Sequence, residues 1–327
     1  MPVIDGESER LPGWARPYRP WPGGGDLQTI MARYWPASAD ERRWPAVDVY
    51  LDTVEGVRVL AKEQDQGGER TLLCVHGLTA CTEARYMMSL AGLALERGWN
   101  VIRLNVRNCG GTEALCPTLY HSGLTEDLHS VIAQLAPRPL WVLGFSMGGH
   151  MVLKLAGEWG AAPPEHVRGV CGISVPIRLA DCSRRIGERR NFIYEKRFLR
   201  QLDATLALKK RLMPQALRGI DSASATSIWD FDDRVTAPAF GFAGAADYYA
   251  KASSSGFLSD IAVPALLIQA EDDPFIPFAV YEDEVFERNS NLTLLKSKQG
   301  GHVAFLARGG HRFWAEEQAI RWFESLP

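Results

Sequence analysis

From Ala46 onward the chain alternates short β-branched runs with longer helical patterns, and no other feature constrains its architecture as strongly. Chains built this way bury a mostly parallel sheet between helices packed on both faces. The runs at 46–52 and 57–62 predict an opening hairpin. Those at 71–76, 100–105, 140–144, 167–174, 263–269 and 292–298 complete an eight-stranded sheet. Helical patterns cover 83–98, the neighbourhood of 124–135, and 147–160, and 280–288 continues the rhythm.

The alternation breaks once, over residues 176–258, which are rich in arginine, alanine and aromatics with helical rather than strand patterning. An insertion of this length is not a structureless loop. It reads as a helical cap over the sheet edge where open α/β folds bind ligands, so the core is expected over 46–175 and 259–327. Residues 1–45, with Trp14, Trp21, Trp35 and Trp44 among prolines and glycines, are expected to form an irregular arm pinned to the domain by aromatic burial.

Charge narrows the partners. With 36 Lys+Arg against 39 Asp+Glu the net charge is −3, which gathers no polyanion, so nucleic acid is not expected. No apolar run reaches the roughly 18 to 20 residues of a bilayer span, and no integral membrane segment is expected. The opening Met1-Pro2-Val3-Ile4-Asp5-Gly6-Glu7 lacks the basic and apolar regions of a signal peptide, which points to the cytoplasm. Cys74, Cys81, Cys109, Cys116, Cys171 and Cys182 show no paired-ligand spacing, as expected of reduced, mostly buried thiols rather than a metal site.

The chemistry concentrates in three places. Gly144-Phe145-Ser146-Met147-Gly148-Gly149 lies between an apolar strand and a helix, the context of a nucleophile elbow, where Gly144 and Gly148 leave room for a sharp turn. A serine hydroxyl needs a base, itself oriented by an acid. Asp273, in Asp273-Pro274-Phe275-Ile276-Pro277, follows the strand at 263–269, and His302, in Gly300-Gly301-His302, follows that at 292–298. The order Ser146, Asp273, His302 is that of nucleophile, acid and base in α/β-hydrolases. Glu271 and Asp272 are rival carboxylates; an acid, two variable residues and Ile-Pro favour Asp273, four before Pro277. Acyl transfer also needs oxyanion donors, and His76-Gly77-Leu78-Thr79 after the strand at 71–75 assigns the amides of Leu78 and Met147. His76 reads as a turn-holding residue, and Asn108, Cys109 and His121 as loop-ordering ones.

Beyond these motifs the chain resembles the YheT-like α/β-hydrolases, a family of esterase-like and acyltransferase-like proteins. The resemblance rests on Asp26-Leu27-Gln28-Thr29-Ile30, His76-Gly77-Leu78-Thr79, Tyr120-His121-Ser122-Gly123, Phe231-Asp232-Asp233-Arg234-Val235-Thr236-Ala237-Pro238 with Asp247-Tyr248-Tyr249, Asp272-Asp273-Pro274-Phe275 and Gly301-His302-Val303. Asp26 stands where the family usually has histidine, and Asn108 where Arg-Gly-Cys-Gly is expected. The resemblance implies an α/β-hydrolase fold and hydrolysis of small carboxylic esters with a short to medium acyl chain, without a cofactor. Transfer of the acyl group to an alcohol, and a non-catalytic binding protein on the same scaffold, are the competing functions. The basic run from Arg184 to Arg200 reads as a solvated helix face. Phe192, Tyr194, Phe198, Trp229, Phe240, Phe242, Tyr248 and Tyr249 read first as cap core.

Overall fold

The structure is a computed structural model that describes residues 3–8, 10–222 and 225–327. Met1 and Pro2 of the opening, residue 9 of the arm and residues 223–224 of the insertion lie outside the described residues.

The alternation is realised with boundaries shifted by a residue or two. β1 (Val3–Asp5) and α1 (Gly24–Tyr34) precede the hairpin β2 (Val47–Asp52) and β3 (Arg58–Gln64). Next come β4 (Thr71–Val75), α2 (Arg85–Glu96), β5 (Asn100–Leu104), α3 (Glu126–Gln134), β6 (Leu140–Phe145), α4 (Met147–Trp159) and β7 (Val167–Ile173). Helices α5 (Leu179–Ile186), α6 (Phe192–Leu212), α7 (Ile228–Phe231), α8 (Ala237–Phe240) and α9 (Ala245–Ala252) fill the 176–258 segment. The chain closes with β8 (Ala265–Ala270), α10 (Val285–Arg288), β9 (Leu292–Ser297) and α11 (Trp314–Ser325).

The strands stand in the order β1-β9-β8-β7-β6-β4-β5-β3-β2, and every pairing is parallel except β2 with β3 and β3 with β5. Both faces are covered, and side chains alternate between them along each strand. Leu73 and Val75 of β4 join the core beneath α3 and α4, while Leu72 and Cys74 join the core beneath α2 and α11. Trp141 and Leu143 of β6 take the second side and Val142 the first.

Two expectations need correcting. The sheet has nine strands rather than eight, because Val3–Asp5 pairs with β9 (Val3 opposite Leu294), and three residues are too few to show a period in sequence. The arm is not wholly irregular, since α1 forms inside it. Its first two positions are glycines, which are poor helix formers. The helix is held instead by tertiary contacts: buried Gln28 donates to the Trp21 carbonyl and accepts from Tyr18 Oη at 3.0 Å and Leu306 N at 3.0 Å. Residues 280–288 also resolve into a 3-10 turn (Phe278–Tyr281) followed by α10. Five of the six cysteines are buried, Cys81 is half-buried, and all are free thiols.

The topology decides where a site can form. From β4 the chain steps to β5 on one side and returns to β6 on the other, which makes the crevice between β4 and β6 a topological switch point. The loops carrying His76-Gly77-Leu78 and Ser146 both leave the sheet there.

Candidate active site

Ser146 sits at the turn from β6 into α4 with φ 51° and ψ −119°, left-handed backbone that a non-glycine residue adopts only when its surroundings impose it. Its N–H donates to the Ile173 carbonyl at 2.8 Å, and its own carbonyl accepts from His150 N, opening the helix. Gly148 permits the turn: a Cβ there would stand 2.4 Å from the Val75 carbonyl oxygen.

His302 Nε2 lies 3.0 Å from Ser146 Oγ, and its Nδ1 lies 2.8 Å from Asp273 Oδ2. The Asp273 side chain is fully buried, and its Oδ1 accepts from the amides of Phe275 at 2.8 Å and Ile276 at 3.2 Å. The rival carboxylates are engaged elsewhere. Asp272 Oδ1 accepts from Gly301 N at 2.8 Å, and Glu271 pairs with Lys296 at 2.8 Å. Burial raises the Asp272 carboxyl above the ordinary carboxylate range, against the Gly301 hydrogen bond, which lowers it.

The oxyanion candidates adjoin the serine. The Met147 amide is the first of α4, so the helix itself provides no acceptor for it. The neighbouring amides of Gly77 and Thr79 donate to the hydroxyls of Tyr86 at 3.0 Å and Tyr120 at 3.3 Å, whereas the Leu78 amide between them has no partner among the described residues. Ser146, Leu78, Met147 and His302 all line one cavity of about 1030 Å³, part of it open to solvent. Its far side is built by α5, α6 and α9, through residues such as Leu179, Ile186, Phe198, Leu202 and Tyr248. Phe275 packs on the His302 ring at 4.7 Å and meets Tyr194 and Phe198 of α6 edge-on at 4.8 and 5.7 Å.

The alpha/beta hydrolase fold family matches residues 70–308. The putative esterase YheT of Escherichia coli (strain K12) is 32% identical over 263 residues, covering 77% of this chain and 75% of that one. Phospholipase ABHD3 of Homo sapiens is 30% identical over 247 residues, 74% of this chain and 60% of its own. The chain belongs to the YheT-like α/β-hydrolases. A solved structure, the Pyrococcus furiosus esterase Pf2001, superposes with a TM-score of 0.60 at 18% identity, over 94% of this chain and 96% of that one, and so shares the fold.

This YheT-like protein is therefore an esterase- or lipase-type hydrolase, in which His76 holds a loop beside the site and His121 lines the cavity. His76 is buried with Nδ1–H donating to the Gly77 carbonyl at 2.8 Å and Nε2 accepting from Val106 N at 3.0 Å. Burial lowers its pKa to about 4, so it is neutral and holds the loop. His121 contacts Phe240 and Phe242 at 4.5 and 5.5 Å, and burial takes it to about 4 as well. Asn108, at φ 62°, donates to the Thr118 carbonyl and accepts from the Cys116 thiol, which orders the long loop. Asp26 pairs with Arg190 at 3.0 Å.

Thr29 and Ser174, to which the sequence assigned no role, hold the histidine loop. The His302 amide donates to Thr29 Oγ1 at 2.8 Å, and the Val303 amide to Ser174 Oγ at 2.9 Å. Thr29 Oγ1 in turn donates to the Gly25 carbonyl at 2.7 Å. Gly301, at φ 62°, lies so close that a Cβ would meet the Gly25 carbonyl oxygen at 2.4 Å. The signal in sequence was the family segment Asp26–Ile30, whose partner cannot be read without the fold.

Proposed function

We propose that this protein hydrolyses carboxylic esters through an acyl-enzyme, with Ser146 as nucleophile, His302 as general base and then acid, and Asp273 as the residue that orients His302. The continuous contact from Ser146 Oγ through His302 to buried Asp273, at 3.0 and 2.8 Å in the wall of an apolar cavity, carries this reading. In the first step Oγ attacks the ester carbonyl as its proton passes to His302 Nε2, and the carbonyl oxygen becomes an oxyanion. The amides of Leu78 and Met147 serve as its donors. Collapse expels the alcohol, protonated by His302, and water repeats the sequence on the acyl-enzyme to release the acid. No cofactor takes part.

The 176–258 helices act in this reading as a cap that bounds the acyl chain. Each buried CH₂ favours binding by up to about 0.8 kcal/mol until the chain meets the wall. The kcat/KM profile over p-nitrophenyl esters therefore peaks at short to medium acyl length; a steady climb into long chains means an open pocket. Labelling with a fluorophosphonate probe, followed by peptide mapping, tests the nucleophile directly. Covalent adduct on Ser146 supports the reading, and an active enzyme labelled elsewhere overturns it.

A further inference from the structure

The segment Phe231–Pro238 and Tyr249, which the triad does not use, place a carboxylate in the wall of the same cavity. Asp232 opens a π-helical turn (Asp232–Thr236), a rare geometry that recurs at functional sites. The turn brings Thr236 back onto the carboxylate: Thr236 Oγ1 donates to Oδ1 at 2.6 Å, and the Tyr249 hydroxyl donates to Oδ2 at 2.6 Å. Ser183 Oγ stands 3.0 Å from the same tyrosine oxygen. One polar cluster, drawn from α5, the π turn and α9, thus interrupts an otherwise mostly apolar lining.

Asp232 is only half-buried, although Phe231 before it and Val235 one turn on are buried. It lines the cavity, and burial pushes its carboxyl up to about 6, against the lowering effect of the Thr236 and Tyr249 hydrogen bonds. A carboxylate offers about four acceptor positions, of which two are filled here. No lysine or arginine among the described residues lines the cavity to balance the charge. A desolvated charge without a counter-group is costly, and a ligand that supplies a donor recovers that cost.

We propose that Asp232, braced by Thr236 and Tyr249, forms a polar subsite that receives a hydrogen-bond donor, an ammonium or a hydroxyl group, carried on one arm of the ester substrate. The preferred substrate is then an amino- or hydroxy-substituted ester rather than a plain alkyl ester. The substrate assignment rests on the esterase reading above; the subsite itself is measurable without turnover.

The test has a binding arm and a kinetic arm. Calorimetry on the full chain compares hexan-1-ol, hexane-1,6-diol and 6-aminohexan-1-ol. Steady-state kinetics compares p-nitrophenyl hexanoate with its 6-hydroxy and 6-amino analogues, and hexyl acetate with its 6-hydroxy and 6-amino analogues. The donor-bearing ligands are expected to be favoured about tenfold over the alkyl one in binding, and in kcat/KM for the ester series whose variable arm enters the cap. Asp232→Leu is expected to abolish or invert that ratio, and Asp232→Asn to spare the hydroxyl preference while removing the ammonium one. Ratios taken within one protein are insensitive to how much of it folds, and the isosteric asparagine covers a leucine variant that does not. A ratio identical in wild type and both variants, or an alkyl preference in binding and in both ester series, overturns the proposal. Failure of fluorophosphonate labelling with the Asp232-dependent binding ratio intact would instead overturn the esterase reading alone.

Discussion

Ser146 owes its position to the strand and helix on either side of it and to the small residues of its own turn, whereas His302 owes its position to distant side chains, Thr29 for its own amide, 273 residues away, and Ser174 for the amide of Val303, 129 residues away. The elbow is a local device. Once β6 pairs with β4 and β7, the backbone of Ser146 has nowhere else to go, as the close approach of Gly148 to Val75 shows. The histidine loop is a tertiary device, a run of left-handed residues at Gly301, Val303 and Phe305 pinned by the arm helix and the end of β7. A local device tolerates change at a distance, while a tertiary one transmits it.

The sharpest contrast comes from the reacting groups themselves. Ser146→Ala is expected to lower kcat by about 10⁴-fold or more, because the members of a triad act as a unit and only oxyanion and binding catalysis remain. Thermal melting should be nearly unchanged. A variant that keeps a tenth of wild-type turnover, free of contaminating esterase, ends the serine assignment.

Next in size is the pair of adjacent aspartates. Asp273→Asn should cost on the order of 10⁴-fold in kcat through loss of the charge that holds and stabilises the His302 imidazolium. Asp272→Asn keeps an oxygen for Gly301 N and should stay within about threefold. The reverse ranking would place the acid one residue earlier.

A smaller effect tests the tertiary half directly. Thr29→Val removes the acceptor of the His302 amide, and a loss of about 1.4 kcal/mol in positioning is about tenfold in rate. It should appear in kcat with KM little changed, and Thr29→Ser should restore it. A KM effect alone, or a serine variant as slow as valine, would assign Thr29 to folding rather than to positioning.

The smallest effect concerns His76, which supports the elbow side. Burial holds its pKa at about 4 against an ordinary 6.5, so the unfolded chain binds the proton more readily than the fold. Stability from this group is complete above pH 6.5 and is lost as the pH falls toward 4. The melting temperature should decline across that window, and less steeply in His76→Gln; equal slopes would mean that other buried groups, His150 among them, carry the acid sensitivity.

By itself the sequence determined what repeats or what is contiguous. Strand and helix periods located β2 to β9 because each element's burial pattern is written in its own residues, and Gly-x-Ser-x-Gly between β6 and α4 located Ser146 because the constraints on that turn are local. Asp273 and His302 were legible by order along the chain, since each follows a strand. Tertiary structure alone decided the rest. Val3–Asp5 is a strand only because β9 offers an edge, and α1 is held in part through Gln28 and Thr29, whose partners Leu306 and His302 lie 278 and 273 residues away, beyond the reach of any sequence period. Asp232 was visible as part of a motif, but its meaning depends on a cavity wall assembled from α5, the π turn and α9, and a hydrogen bond between distant side chains leaves no mark on either segment alone.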